Sequence, residues 1–154
     1  MPVKTISDGT VSDAYLSLLA DRGIDYFFGN AGTDFAPIIE SFAKAQALGT
    51  SAPKPMLVPH ENLAIHMALG YYAVTGRPQV VMVHVNVGTA NALNGIINAS
   101  RGNIPVLFSS GRTPYSETGD REGRRTREVH WPQEMFDQGA LAREMVKWDY
   151  ELKD

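Results

Sequence analysis

The sequence predicts an α/β protein: a doubly wound, mostly parallel sheet flanked by helices. Two observations predict it. Short apolar runs alternate with segments of helical periodicity from the amino terminus to about residue 108. One of the runs, Val80-Val81-Met82-Val83, is apolar without a break, as expected of a strand covered on both faces of a parallel sheet. Strands alternating with helices of ~10–15 residues imply right-handed βαβ crossovers.

The elements follow in order. Val11, Ala14, Tyr15, Leu18 and Leu19 share one helical face, since residues three and four apart stack on a helix. Thr10 with Asp13 resembles a capping box at its start, and Gly23 supplies the stop. Ile24 to Phe28 reads as a strand ending at Gly29, followed by a helix from about Phe35 to Ala47. Ser51-Ala52-Pro53-Lys54-Pro55 is a breaker, and Met56-Leu57-Val58 a second strand. A helix from Glu61 to Val74, with Ala64, Met67, Ala68 and Tyr71 inward, is closed by Gly76 and Pro78. After the strand at Val80–Val83, a turn at Asn86-Val87-Gly88 leads into a small-residue helix from Ala90 to Ser100, and Ile104 to Phe108 is the next strand.

The 154 residues fit a single domain, 1–154. With 44% hydrophobic and 20% charged residues it can bury a core. A net charge of -3 gives no electrostatic reason to expect nucleic acid or an anionic membrane as partner. There is no cysteine, which excludes disulfides, thiolate metal sites and cysteine nucleophiles and suits a reducing cytoplasm. The first residues lack the apolar run of a signal peptide, and no apolar stretch approaches the ~18 residues of a membrane span. A cytoplasmic protein is the expectation.

Residues 112–130 break the rhythm. Arginines 121, 124, 125 and 127 are balanced by Glu117, Asp120, Glu122 and Glu128. This reads as a solvated, mobile surface loop, or as a loop that orders against a partner domain or an anionic ligand.

Ligands of parallel α/β sheets sit at the carboxyl ends of the strands. Two loops there contain glycine, Gly29-Asn30-Ala31-Gly32-Thr33 and Asn86-Val87-Gly88-Thr89-Ala90-Asn91. Neither matches G-x-G-x-x-G, and neither has the lysine of a P-loop. His60-Glu61 is not a zinc motif, because H-E-x-x-H requires histidine where Ala64 stands. A nucleophile elbow, G-x-S-x-G, is absent too: Phe108 precedes Ser110 by two. What remains is Glu61, a carboxylate opening a helix directly after a strand. The helix dipole alone favours an acid there, so spacing leaves structural and functional readings both open.

The residues then resemble a family. Phe28-Gly29-Asn30-Ala31-Gly32-Thr33 is similar to the F-G-x-P-G segment of thiamine diphosphate decarboxylases and carboligases. His60-Glu61, Met67-Ala68, Gly70-Tyr71 and Thr75-Gly76-Arg77-Pro78 resemble their H-E-x(5)-M-A-x-G-Y-A-x-x-T-G-x-P block. Val83 to Asn91 stands where the family has S-G-P-G-x-x-N, and Ile104-Pro105, Gln133-Glu134 and Lys147-Trp148 match later segments in order. The chain departs from the pattern at Ala31, for proline, and at Asn86-Val87, for Gly-Pro.

The resemblance implies the pyrimidine-binding domain of an enzyme of the acetolactate synthase or benzoylformate decarboxylase group. Glu61 would be the glutamate that hydrogen-bonds N1′ of the cofactor's aminopyrimidine and so promotes loss of the thiazolium C2 proton. Gly32, Thr33, Asn86, Val87, Gly88 and Asn91 would line the cofactor. His84, four residues before Gly88, stands where the benzoylformate decarboxylase type has an active-site histidine, and Thr33 where it has a substrate-contacting serine. His60 and His66 read as structural. The diphosphate and Mg²⁺ belong to a G-D-G…N motif on another domain; the nearest string, Gly119-Asp120-Arg121, lacks the last glycine, so no metal is expected on this chain. A domain shortened at its carboxyl end, a diphosphate-binding domain on the same or a second subunit, a dimer or tetramer, and a 2-keto acid substrate are the further expectations. Two rival readings are a non-catalytic assembly module of the same fold and a flavodoxin-like mononucleotide protein.

Overall fold

The central strand of the sheet is the uninterrupted apolar run. In the computed structural model, which describes residues 4–120 and 123–152, β3 (Gln79–Val83) is buried at all five positions. It pairs in parallel with β1 (Tyr26–Asn30) on one side and β4 (Val106–Ser110) on the other, and β2 (Lys54–Leu57) adds outside β1, giving the order β2-β1-β3-β4. The α/β class and the parallel sheet expected from the sequence are those observed.

Alternate side chains of each strand feed two cores, because successive Cβ atoms leave opposite faces. Phe28, Val81 and Val83 pack under α3 (Glu61–Thr75) and α4 (Val85–Arg101). Phe27, Val80 and Met82 pack under α1 (Val11–Asp21) and the helix α2 (Ala36–Leu48), which a short 3₁₀ turn at Thr33–Phe35 precedes. The capping box at the start of α1 is present in both directions, Thr10 Oγ1 accepting from Asp13 N–H at 3.2 Å and Asp13 accepting from Thr10 N–H at 2.8 Å. At the opposite end of the sheet from the loops discussed below, the fully buried Gln79 side chain accepts from the Asp25 and Tyr26 amides and donates to the Pro78 carbonyl. That satisfies backbone groups the β1 start would otherwise leave open.

Several boundaries differ from the sequence expectation. Strands β1 and β4 run two residues further, through Asn30 and through Ser109-Ser110; the ladder continues where side chains turn polar, and hydropathy cannot see it. The Pro53–Pro55 breaker gives way to β2 from Lys54, an edge strand whose outer side needs no proline N–H. Most consequentially, no turn separates β3 from the next helix. Asn86, Val87 and Gly88 already lie inside α4, and the reversal is made by Val85 in a left-handed conformation, φ 39°.

The inward face of α3 is also rotated from the expected one. Ala64, Ile65, Ala68 and Leu69 are buried, while Met67 and Tyr71 help line an apolar cavity of about 260 Å³ beside Tyr26, Phe28 and Met56. The cause is α4, which packs against α3 as well as the sheet: a Cβ on Gly95 would lie 2.5 Å from Ile65 Cγ2. Among the described residues, no helix is long and apolar enough to cross a membrane.

Candidate active site at the carboxyl ends of the strands

Parallel strands place their carboxyl ends together, and each of the four is followed by a residue of interest. Gly32, Thr33 and Asp34 follow β1, Glu61 follows β2, His84 follows β3 directly, and Gly111 follows β4. Two clusters form from them, and the first turn of α4 touches both.

The first cluster surrounds Glu61. Its helix begins properly because His60 caps it, Nδ1 accepting from the Asn62 amide at 3.2 Å. The structural reading of His60 therefore stands, as does that of His66, whose ring bridges the Asn62 carbonyl and the Asn98 amide. Glu61 is itself only 7% exposed, an uncommon state for a glutamate. Asn91 Nδ2 donates to its Oε2 at 3.2 Å. Gly88 abuts the other oxygen: a Cβ there would lie 3.4 Å from Glu61 Oε1 and 3.1 Å from Val83 Cβ. Oε1 accepts no hydrogen bond from any described residue. The amino terminus of the 15-residue α3 adds a field that favours a carboxylate at its first position.

The second cluster centres on His84. Its Nδ1 lies 2.6 Å from Asp34 Oδ1, and its Nε2 lies 3.3 Å from the side-chain nitrogen of Gln133. Gly32 lies flat against the ring; a Cβ there would stand 2.2 Å from it. The next residue is Val85, buried and left-handed, a conformation costly for a β-branched side chain. It is held by its carbonyl, which accepts from the Thr89 hydroxyl at 2.8 Å and the Ser110 hydroxyl at 2.9 Å.

The remaining sequence candidates divide. Gly88 and Asn91 belong with Glu61, and Gly32 with His84. Asn86 turns its side-chain oxygen back onto the Val87 amide at 2.8 Å, and Val87 is 64% exposed. Thr33 is exposed and lines a cavity of about 430 Å³ with Pro37, Arg124, Arg127 and His130. Asp34 went unremarked in the sequence, because an acid just ahead of a helix is unexceptional there; only the fold brings it to His84.

The loop after β4, expected to be solvated and mobile, is in part tied down by ion pairs. Arg112 donates to Glu134 Oε1 at 3.1 and 2.7 Å, and Thr113 to Glu134 Oε2 at 2.9 Å. Arg125, its side chain 10% exposed, pairs with Glu134 and Glu117 and donates to the Pro114 carbonyl. These contacts pin Glu134 and so hold its neighbour Gln133 against His84. Among the described residues, no three His, Cys, Asp or Glu side chains group as a metal site. Arg121 lies outside the described residues.

Comparison with known proteins decides the family. A family model described as "Thiamine pyrophosphate enzyme, N-terminal TPP binding domain" matches residues 9–141. The chain belongs to that family. Relatives of this N-terminal domain include benzoylformate decarboxylase of Pseudomonas aeruginosa, 28% identical over 142 residues, 92% of this chain and 24% of the relative. The acetolactate synthase large subunit of Haemophilus influenzae is 34% identical over 94 residues, 61% of this chain and 16% of the relative. Among solved structures, the thiamine diphosphate-dependent 4-hydroxybenzoylformate decarboxylase of Rhodococcus jostii RHA1 superposes with a TM-score of 0.72 at 26% identity, over 94% of this chain and 24% of the other. The thiamine pyrophosphate domain described here thus spans about a quarter or less of the length of these relatives.

Proposed function

We propose that this chain is the pyrimidine-binding half of a thiamine diphosphate enzyme that decarboxylates or ligates 2-keto acids, with Glu61 as the carboxylate that hydrogen-bonds N1′ of the aminopyrimidine. One observation carries the proposal: Glu61 is buried at the strand ends with one oxygen held by Asn91 and the other open beside Gly88. A buried charge with an open position asks for a partner, and a ring nitrogen that can share its proton suits a carboxylate there.

When bound, thiamine diphosphate supplies the carbon nucleophile and the electron sink for chemistry at a carbonyl. The chain's own residues do the rest. Asn91 orients Glu61 through Oε2, leaving Oε1 to exchange a proton with the ring nitrogen. Gly88 keeps the space beside Oε1 open, and Asn86 and Val87 continue the α4 wall. His84, with Gly32 against its ring and Thr33 beyond, exchanges a proton with the substrate at Nε2. The diphosphate and Mg²⁺ are held by a second domain, from the same or another subunit, in a cytoplasmic dimer or tetramer.

The test is to supply that second domain and measure turnover of several 2-keto acids that depends on thiamine diphosphate and Mg²⁺. Glu61→Gln is expected to lower kcat by about 10²–10⁴-fold, the usual worth of a positioned acid–base group. Unchanged turnover in Glu61→Gln would sink the assignment. Cofactor binding with no turnover on any keto acid would leave a binding module in place of an enzyme half.

A further inference from the structure

Beyond the roles of Glu61 and His84, we infer that Asp34 is a positioning residue that locks His84 in one tautomer, with the lone pair on Nε2, the nitrogen beside Gln133; this rests on the reading of His84 given above. Two contacts on opposite edges of the ring agree. Asp34 Oδ1 lies 2.6 Å from Nδ1, and a carboxylate oxygen accepts, so Nδ1 carries the proton. On the other edge Gln133 Nε2 lies 3.3 Å from the ring Nε2, and an amide N–H donates, so that nitrogen offers its lone pair. The two contacts favour the same tautomer, and the shorter one, to the Asp34 carboxylate, is the stronger selector.

The surroundings are shaped for this pair and for nothing larger. A Cβ on Gly32 would stand 2.2 Å from the imidazole, and a Cβ on Gly111 would stand 1.6 Å from Asp34 Oδ2. Two glycines, one after β1 and one after β4, thus admit the ring and the carboxylate from opposite sides. The Asp34 side chain is 11% exposed, and its Oδ2 is buried with no hydrogen-bond partner among the described residues. A carboxylate with one bare buried oxygen is costly, which is intelligible when its other oxygen orients a working histidine. The step it serves is a proton transfer. An N–H bond forms at Nε2 as the O–H bond of the hydroxyl that the reaction makes from the substrate's keto oxygen breaks; the electron pair stays on that oxygen, the positive charge spreads over the ring beside the Asp34 carboxylate, and the reverse step returns the proton.

The first measurement needs no activity. ¹⁵N spectra of the histidine side chains in the 154-residue chain are expected to show His84 as the Nδ1–H tautomer, and Asp34→Asn, whose amide can donate to Nδ1, to shift it toward the Nε2–H form. A wild-type His84 in the Nε2–H form, or a tautomer unmoved by Asp34→Asn, overturns the inference, whether or not any variant is active. The second uses the enzyme completed by its diphosphate-binding domain. Asp34→Asn and His84→Ala are each expected to lower kcat about 10²-fold with the KM for thiamine diphosphate unchanged, and the double variant to lose no more than His84→Ala. Losses that multiply overturn it. If Glu61→Gln is also without effect, the cofactor reading has failed, and the tautomer result still judges Asp34 by itself.

Discussion

At Gly88 the backbone of α4 passes close to both Val83 and Glu61, and the two effects of adding a methyl group there oppose each other. Alanine is favoured over glycine inside a helix by about 1 kcal/mol. Crowding costs about 1–3 kcal/mol when the neighbour cannot move aside, and the neighbour here is Val83 Cβ, at 3.1 Å, fixed to a central strand. Crowding wins. Gly88→Ala is expected to lower the melting temperature and to weaken thiamine diphosphate binding by about tenfold, since the methyl group would fill space beside Glu61 Oε1; a variant that melts higher than the parent would contradict this. The site's residues were unequally legible in the sequence. Glu61, Gly88 and Asn91 were found because their order matches a family. Asp34 was not, because its partner is distant in sequence, and hydropathy, charge and propensity look identical with or without that partner. Asn86 and Val87 were expected in the same turn as Gly88. Nothing in their chemistry warned that a buried valine would take the left-handed position that glycine or asparagine usually fills.

Among elements, α1 shows how a local signal becomes a pH-dependent one. Asp13 closes the capping box and also accepts from Lys44 on α2 at 2.8 Å. That lysine hydrogen bond first, then the Thr10 amide, hold its carboxyl well below the ordinary value of 3.8. A group whose acidity is strengthened by folding stabilises the native state above its unfolded pKa and stops doing so as pH falls toward the folded one. Asp13→Asn is therefore expected to melt below the parent at neutral pH, with the gap narrowing steadily once pH drops beneath about 4. A gap that widens in acid would refute the assignment. The starts of α1 and α3 and the sheet's centre were readable because capping and burial are local or periodic. The carboxyl ends of β1 and β4 were not, since Asn30, Ser109 and Ser110 keep the hydrogen-bond ladder while losing the apolar pattern.

For the molecule as a whole, the matched family and the site's composition combine into one binding expectation. If this chain meets only the pyrimidine end of the cofactor, its affinity for thiamine and for thiamine diphosphate should be alike and weak, and indifferent to Mg²⁺. Adding the diphosphate-binding domain should then favour the diphosphate form alone. Calorimetric titration of both ligands checks this, and tight Mg²⁺-dependent binding by the chain by itself would refute the division of labour. The contact of Gly95 with Ile65 bears on how that second domain would arrive. Glu61 opens one of the two helices joined there, and His84 and Gly88 begin the other. A close-packed seam between the helices makes them one lever, so the spacing between acid and imidazole is set during folding. A diphosphate-binding domain of the kind proposed would then meet a finished surface, and its rate of capture would depend on encounter and orientation, with no rearrangement of these helices to wait for.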